Sequence, residues 1–326
     1  MAQAEVGDDV FGEDPTVNQL QDIAARLLGK DAALFVPSGT MANQLAVRLH
    51  TNPGDEMIVE AGAHVVRYES GAAAALSGVQ TCCLSGIRGI LEPEQIEAAI
   101  RPPDYHNPPT TLISLENTHN RGGGSIYPLA TIAAIRKIAD ARRIAMHLDG
   151  ARLFNAVVAT GIPAADYARS FETVSFCLSK GLGAPVGSLI CSDSARIGKL
   201  RRLRKMFGGG MRQAGILAAA GLYALEHNMY RLAIDHSHAK QLGAALVGLP
   251  GVRIKPEHIE TNIVVFDISE TGRTAEEVLS RLKHEGLLLV PFGPNTLRAV
   301  THLDISSSQI EQACAILKKV FAALAT

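Results

Sequence analysis

The stretch Ser175-Phe-Cys-Leu-Ser-Lys-Gly-Leu-Gly183 places one lysine where an apolar run gives way to glycines. A second stretch, Met146-His-Leu-Asp-Gly-Ala-Arg152, ends another apolar run with an acid and an arginine. Each run predicts a buried strand. Open α/β sheets bind ligands beyond the carboxyl ends of their strands. We therefore expect Lys180, Asp149 and Arg152 to face one crevice.

The lysine and the acid of these two stretches suit one cofactor. A lysine in a desolvated pocket loses its proton easily and can form a Schiff base with a carbonyl compound. An aspartate beside it can keep a pyridine nitrogen protonated. The alternatives are a solvated surface lysine and an Asp-Gly turn. We predict an enzyme that holds pyridoxal 5'-phosphate (PLP) as a Schiff base on Lys180, with Asp149 as the partner of the ring.

A candidate phosphate site lies earlier in the chain. Ser38, Gly39 and Thr40 stand between a predicted strand at 32–36 and a predicted helix at 41–50. The free N–H groups and the dipole of a helix N-terminus favour a phosphate. Taken alone, a serine or threonine here is more simply a helix cap. Together with the lysine and the acid, it predicts the site of the cofactor phosphate.

Two histidines and two arginines complete the set of candidates. His64 and His119 each follow an apolar run, where an imidazole can stack on a flat ring or accept a proton near neutral pH. Their alternative is a structural histidine. Arg212 follows a triple glycine and Arg298 lies on a predicted strand; a guanidinium can bind a carboxylate through two hydrogen bonds. Their alternative is a surface salt bridge.

Strand-like runs alternate with helical patterns through the first two-thirds of the chain. This alternation predicts an α/β protein with a mainly parallel sheet covered by helices on both faces. We expect a large domain at 1–230 and a small α+β domain at 231–326. The predicted strands are 32–36, 57–60, 110–115, 144–148, 174–178, 188–191, 262–267, 287–290 and 297–300. The predicted helices are 41–50, 129–142, 274–285 and 307–324, with a long apolar helical region at 213–247.

Composition narrows the class of protein. The 326 residues carry a net charge of −1, which gives no electrostatic case for a nucleic-acid partner. The longest apolar run, 215–225, is too short to span a membrane, and residues 1–10 lack the pattern of a signal peptide. The basic run 196–205 predicts a helix with a solvated face.

The five cysteines have no C-x-x-C spacing, and the adjacent Cys82 and Cys83 would point to opposite sides of a strand. We expect no metal site, and reduced thiols in the cytoplasm. The chain also lacks a G-x-G-x-x-G after a strand, a Walker loop, a G-x-S-x-G elbow and H-E-x-x-H. A nicotinamide oxidoreductase is excluded because the chain lacks the G-x-G-x-x-G motif that binds a dinucleotide.

Seven stretches, in order along nearly the whole chain, resemble the low-specificity L-threonine aldolases, a family of the fold-type-I PLP enzymes. That resemblance implies an aspartate-aminotransferase-like fold and retro-aldol cleavage of small β-hydroxy-α-amino acids to glycine and an aldehyde. It also implies a homotetramer, a dimer of dimers with sites at dimer interfaces. The stretches are Val6–Asn18, Ser38–Thr40, Ser114–Asn120, His147–Asn155, Cys177–Gly183, Lys205–Gln213 and Val300–Asp304.

The resemblance also implies a role for each candidate residue. His64 would stack on the cofactor ring, and His119, or a water held by either histidine, would take the β-hydroxyl proton. The remaining roles are Lys180 for the Schiff base, Asp149 for the ring nitrogen, Arg152 for the phenolic oxygen and substrate, Gly39 and Thr40 for the phosphate, Arg298 for the substrate carboxylate, and Arg212 with Lys205 for the rim.

This sequence departs from the family pattern at its start. Family members usually begin with an arm that carries Arg-Ser-Asp-Thr, whose serine helps to hold the substrate carboxylate; here residue 1 falls just before Gly7-Asp8-Asp9. The departure concerns substrate affinity and the tetramer rather than the cofactor site. The alternatives are another PLP-dependent β-eliminating lyase, an aminotransferase, and a catalytically impaired, truncated subunit that binds PLP.

Overall fold

The computed structural model describes residues 1–324, which form two compact units. The first unit comprises residues 1–122 and 126–229. The second comprises residues 230–324 together with the short segment Gly123–Ser125. Within the second unit, the hydroxyl of Thr261 donates to the carbonyl of Gly124 at 2.8 Å. The sequence pattern does not predict this early excursion of the chain into the second unit.

The first unit is an α/β structure in which strands and helices alternate. Its strands are β1 (Ala32–Val36), β2 (Glu56–Glu60), β3 (Gln80–Leu84), β4 (Thr110–Glu116), β5 (Ala145–Asp149), β6 (Thr173–Cys177) and β7 (Ser188–Ser192). Its helices are α1 (Pro15–Leu28), α2 (Gly39–His50), α3 (His64–Arg67), α4 (Ala72–Ser77), α5 (Pro93–Ala99), α6 (Leu129–Arg142), α7 (Leu153–Thr160), α8 (Ala164–Ala168), α9 (Ser194–Met206) and α10 (Gly215–His227).

The seven strands form one sheet in the order β1-β7-β6-β5-β4-β2-β3. Neighbouring strands from β3 through β6 run parallel, whereas β7 is antiparallel to both β6 and β1. Strand β1 therefore runs in the same direction as β6. As a result, the carboxyl ends of β1, β2, β4, β5 and β6 all meet one edge of the sheet. The predicted mainly parallel sheet is confirmed.

The central strands are buried along their length, as expected for a sheet covered on both faces. All five residues of β6 and of β7 are buried. Strands β5 and β6 nevertheless carry polar residues at every second position, and the register pairs His147 with Thr173 and Asp149 with Ser175. Side chains two apart share a face of the sheet. One face of this buried sheet is therefore polar near its carboxyl edge.

The second unit is an α+β structure with its own core. A three-stranded antiparallel sheet has the order β8-β10-β9. Buried residues from the sheet and the helices of this unit, among them Leu282, Phe266 and Phe321, form a single apolar cluster. Its elements are α11 (Leu232–Leu246), β8 (Ile263–Asp267), α12 (Ala275–His284), β9 (Val290–Gly293), β10 (Thr296–Val300) and α13 (Ser307–Leu324), with 3-10 turns at Pro256–His258 and Ser269–Thr271.

Two sequence expectations about these elements are wrong. The predicted strand at 287–290 lies at Val290–Gly293 instead, because Leu287 and Leu289 pack against the apolar cluster without pairing to a strand. The predicted helical region at 213–247 is two helices, α10 and α11. Asn228 ends the first of them, and its Nδ2 donates to the carbonyl of Leu182 at 2.7 Å. Helix α1 and strand β3 were not predicted.

The basic run at 196–205 forms a helix as predicted, but one of its arginines is not solvated. Arg204 is 3% exposed, and its guanidinium contacts the equally buried Asp9 at 2.7 Å. It also donates to the carbonyl of Phe35 at 2.7 Å. These two contacts of Arg204 therefore link α9 to the N-terminal segment, through Asp9, and to β1, through Phe35. In the part of the chain from residue 1 to 324, no helix is both long and apolar enough to cross a membrane.

We expect Arg204→Met to destabilise the protein because it removes the hydrogen-bonded cation of the buried Asp9 carboxylate and leaves it the longer contact with Arg201, at 3.8 Å. Breaking one partner of such a pair costs about 3 kcal/mol of unfolding free energy. Urea denaturation of the variant tests this. Arg202→Met is the matched control, since Arg202 is exposed on the same helix. Equal stability of the two variants would contradict the role of the ion pair.

Candidate active site

Five strand ends deliver the predicted site residues of the first unit to one edge of the sheet. Ring and carboxylate atoms of His64 and Asp149 lie within 4.8 Å of each other. Strand β5, which ends in Asp149, pairs with β4 before His119 on one side and with β6 before Lys180 on the other. The residues are Ser38 after β1, His64 after β2, His119 after β4, Asp149 at the end of β5 and Lys180 after β6.

Asp149 is a buried carboxylate that remains ionised. Its side chain accepts hydrogen bonds from Nδ2 of Asn43 at 2.7 Å and from the backbone N–H of Ala151 at 3.0 Å. Burial opposes its charge, but the positive charge of Lys180 and the hydrogen bond from Asn43 hold its pKa below the ordinary value. The site therefore presents a fixed negative charge at the end of β5.

Lys180 lies in a tight connection between β6 and β7. The N–H of Leu178 donates to the carbonyl of Gly187 at 3.0 Å, and the N–H of Gly183 donates to the carbonyl of Lys180 at 2.9 Å. The side chain of Lys180 is half-buried. A lysine on such a turn is held by two neighbouring strands and still reaches the open edge of the sheet.

Helix α2 begins at this edge with its first amides unpaired within the helix. Ser38 is the N-cap, and its hydroxyl accepts from the N–H of Met41 at 3.2 Å. Gly39 packs so closely on β6 that an added Cβ would lie 2.7 Å from Sγ of Cys177. The close packing sets the start of α2 beside β6, near the lysine turn, where the helix N-terminus can hold an anion.

His64 is paired with a buried acid that the sequence did not single out. Its Nδ1 lies 2.8 Å from Oε1 of Glu69, and its backbone N–H donates to Glu116 at 2.7 Å. The hydrogen bond to Glu69 raises the pKa of His64 above its ordinary value, although burial acts in the opposite direction. About a third of its ring, 30%, remains exposed. His64 therefore presents a partly open face with cationic character.

His119 is buried, and both of its ring nitrogens contact protein groups. Nδ1 accepts from the N–H of Gly122 at 3.0 Å, and Nε2 faces Oε2 of Glu60 at 3.1 Å. Because Nδ1 is an acceptor, the ring proton lies on Nε2. Gly89 has a φ of +81°, and a Cβ at that position would overlap the His119 ring. The ring is therefore clamped, with its tautomer set by its two partners.

The three candidate arginines differ in their positions and contacts. Arg152 precedes α7, and its charge acts on Cys177 next to the lysine turn. Arg212 is mostly exposed and pairs with Asp8 in the N-terminal segment. Arg298 belongs to the second unit, where its guanidinium carbon lies 4.9 Å from the centre of the Phe292 ring. Arg152 lies three residues beyond Asp149 at the start of α7, whereas the observed contact of Arg212 is with Asp8.

Ligand atoms of His64, Glu69 and Asp149 lie within 4.8 Å of one another, a spacing that could suit a metal ion. The amide of Asn43 donates to both carboxylates, and the Gln44 amide donates to the second oxygen of Glu69 at 2.7 Å. The carboxylates thus already receive protein hydrogen bonds. The cluster is best described as a hydrogen-bonded network around Asp149.

Sequence reasoning missed four members of the site: Asn43, Glu60, Glu69 and His147. Two of them carried a usable signal. Asn43 and Gln44 are neighbouring amides inside the otherwise apolar run Met41–Val47 of α2. His147 stands two residues before Asp149 on a buried strand, so both side chains lie on the polar face of the sheet. The two glutamates gave no such signal, since glutamate is usually solvated.

A model of the beta-eliminating lyase family matches residues 1–269. The low-specificity L-threonine aldolase of Escherichia coli (strain K12) is 41% identical over 97% of this chain and 92% of its own length. Low-specificity L-threonine aldolase 1 of Arabidopsis thaliana is 41% identical over 95% of this chain and 88% of its own. This chain belongs to the L-threonine aldolase family. The resemblance seen in the sequence is confirmed.

Solved structures agree on the fold of this L-threonine aldolase family member. A Leishmania major threonine aldolase matches with a TM-score of 0.82 at 21% identity, covering 98% of this chain and 92% of that one. A Sphingomonas wittichii serine palmitoyltransferase matches with a TM-score of 0.76 at 18% identity, covering 99% and 80%. The predicted fold-type-I architecture is therefore confirmed.

We expect acid to destabilise the protein through His147. Burial lowers the pKa of His147 from 6.5 to about 4, so the folded chain keeps the ring neutral while the unfolded chain takes up a proton. The free energy of unfolding then falls by about 1.4 kcal/mol per unit as pH drops from 6.5 towards 4. Thermal midpoints between pH 6.5 and 4.5 should fall less steeply for His147→Gln.

The matched control for this measurement is His227→Gln, because His227 is about half-exposed. Its midpoints should follow the unmodified protein across the pH range. An identical acid slope in His147→Gln and the unmodified protein would rule out His147 as a source of the acid sensitivity.

Proposed function

We propose that this protein cleaves L-threonine and related β-hydroxy-α-amino acids to glycine and an aldehyde, with pyridoxal 5'-phosphate bound through Lys180. The single observation that carries the proposal is the placement of a half-buried lysine just after β6 and of a buried aspartate at the end of the neighbouring strand β5, at one edge of the sheet. Membership of the L-threonine aldolase family supports the choice of substrate.

The residues of the first unit fit this cofactor in their chemistry. Lys180 supplies the amine for its aldehyde, and Asp149 supplies a negative charge for its ring nitrogen. The amides of Gly39 and Thr40, with the hydroxyl of Ser38, suit its phosphate at the start of α2. We assign Arg152 to the phenolic oxygen and to the substrate. When bound, the cofactor provides an electron sink for the bond that breaks.

The substrate needs a partner for its carboxylate and an acceptor for its hydroxyl proton. We assign the carboxylate to Arg298 and the rim of the site to Arg212 and Lys205, as the family resemblance suggests. A guanidinium that binds the carboxylate through two bonds orients the Cα–Cβ bond for cleavage. This choice among the bonds at Cα separates aldol cleavage from other reactions of amino acids.

The two candidate histidines, His64 and His119, have different proposed roles. The open face of His64 suits stacking on the cofactor ring. His119 holds the substrate side chain, and the β-hydroxyl proton passes to His119 or to a water held by either ring. The engagement of both His119 nitrogens supports the water. As that proton leaves, the Cα–Cβ bond breaks and the aldehyde departs, and Cα takes up a proton to give glycine.

We also propose a homotetramer, a dimer of dimers, in the cytoplasm. Large apolar side chains stand exposed on the first unit, where Phe11 is 71%, Met206 63% and Tyr223 61% exposed. Exposed apolar surface of this kind supports burial against other copies. The odd number of cysteines supports a reducing compartment.

The first experiment is an absorbance spectrum of the purified protein loaded with the cofactor, followed by addition of L-threonine. We expect a band of the lysine-linked cofactor that sodium borohydride abolishes, and release of acetaldehyde. Both should be lost in Lys180→Ala and retained in Lys199→Ala, which changes an exposed lysine. 2-Oxobutyrate and ammonia in place of glycine and acetaldehyde would indicate a β-eliminating lyase, and absence of the band would overturn the proposal.

A second experiment addresses the histidines. We expect the double variant His64→Asn, His119→Asn to lower kcat for L-threonine cleavage about 100-fold or more, the usual contribution of a positioned proton acceptor. His227→Asn serves as the control because it changes an exposed histidine. An unchanged kcat in the double variant would show that neither ring handles the proton.

A further inference from the structure

Asn43 occupies the centre of the network behind the proposed cofactor site. It lies on α2, is 2% exposed, and uses all of its hydrogen-bonding capacity. Its Nδ2 donates to Asp149 at 2.7 Å and to Glu69 at 2.8 Å. Its Oδ1 lies 3.2 Å from both the Ser175 hydroxyl and Nε2 of His147. Two donors and two lone pairs are all that an amide side chain has.

These contacts leave the amide only one orientation. Both partners of Nδ2 are carboxylates, so Oδ1 must be the acceptor of the other two bonds. Nε2 of His147 therefore carries a proton toward Oδ1, and Nδ1 lies 2.9 Å from the hydroxyl and 3.2 Å from the carbonyl oxygen of Thr173. That hydroxyl in turn lies 3.1 Å from Nε2 of His50. A chain of side chains across the polar face of the sheet thus holds Asn43 in place.

The same amide separates two buried acids. One carboxylate oxygen of Asp149 lies within 4.8 Å of one carboxylate oxygen of Glu69. Two negative charges at that distance favour uptake of a proton by one of the two acids. Asn43 places one N–H on each carboxylate. Among the residues that the structure describes, Glu69 has two more side-chain donors, His64 and Gln44, and a further donor to Asp149 is the backbone N–H of Ala151. Loss of the Asn43 amide would therefore weaken the hydrogen bonding of Asp149 more than that of Glu69.

We propose that Asn43 is the positioning residue that keeps Asp149 ionised and directed at the ring nitrogen of the cofactor. This inference rests on the proposed function. Asn43 touches neither substrate nor cofactor in this proposal; it acts through Asp149. Its second bond, to Glu69, links the acid of the ring nitrogen to the acid that pairs with His64, so one amide fixes two groups of the site.

The test measures the ring nitrogen directly, without turnover. The protein is loaded with PLP labelled with 15N in its ring, and the 15N chemical shift is followed between pH 6 and 9. We expect the nitrogen to stay protonated in the unmodified protein. In Asn43→Ala its pKa should fall by about one unit or more, with about tenfold weaker PLP binding, because a hydrogen bond to a charged group is lost.

Gln44→Ala is the matched control. Gln44 is the next residue of α2, is equally buried, and donates to Glu69 but not to Asp149. It should keep the ring nitrogen protonated, even if its thermal midpoint falls as far as that of Asn43→Ala. Equal ring-nitrogen titrations in the two variants would overturn the proposal, because the effect would then be one of packing alone.

Ser175→Ala covers the case in which Asn43→Ala does not fold. It removes one of the two donors to Oδ1 of Asn43 and leaves the amide in place, so a smaller shift in the same direction is expected. No shift in Ser175→Ala together with an unfolded Asn43→Ala would overturn the role of Asn43. If the unmodified protein binds no PLP, the proposed function itself fails. If it binds PLP normally and Asn43→Ala matches it, only the Asn43 inference fails.

Discussion

A carboxylate that is 5% exposed must stay charged at the end of β5. Burying an ion costs several kcal/mol unless hydrogen bonds and an opposite charge replace its water. Asp149 obtains them from three places: an amide on α2, the N–H of Ala151 just beyond β5, and the charge of Lys180 beyond β6. These groups meet because the strands that carry them end at one edge. The parallel order of the sheet is therefore a condition for the charge of Asp149.

The protonation state of each histidine is likewise determined by the groups around it. His147 and His50 lie among hydroxyls and an amide, and burial lowers the pKa of the first to about 4 and of the second to about 3. His64 lies against Glu69, whose hydrogen bond raises its pKa. The site thus places neutral rings behind Asp149 and a ring with cationic character at its open side. The groups that contact each ring determine whether it is neutral or has cationic character.

The sequence allowed most of the strands and the candidate residues at their ends to be predicted, because both leave local signals. Lys180, Asp149 and Ser38 each stand where an apolar run ends, and that position alone indicates a functional edge. Asn43, Glu60 and Glu69 could not be found in this way. Asn43 lies 26 residues from Glu69 and 106 from Asp149, and a buried glutamate looks like a surface glutamate in a sequence. The strand near residue 290 was misplaced for a related reason, since leucines pack in a core with or without strand pairing.

Strand β7, which runs opposite to the other six strands of its sheet, has a consequence for how the site is assembled. It turns the segment after β6 into a hairpin, so the backbone contact between Leu178 and Gly187 closes a loop of about ten residues. Every parallel pair in the sheet requires a longer crossover, and short loops lose less chain entropy on closure. The lysine therefore sits on the most local connection in the sheet. Asp149 and Asn43, which are 106 positions apart, meet only when distant parts of the chain have come together.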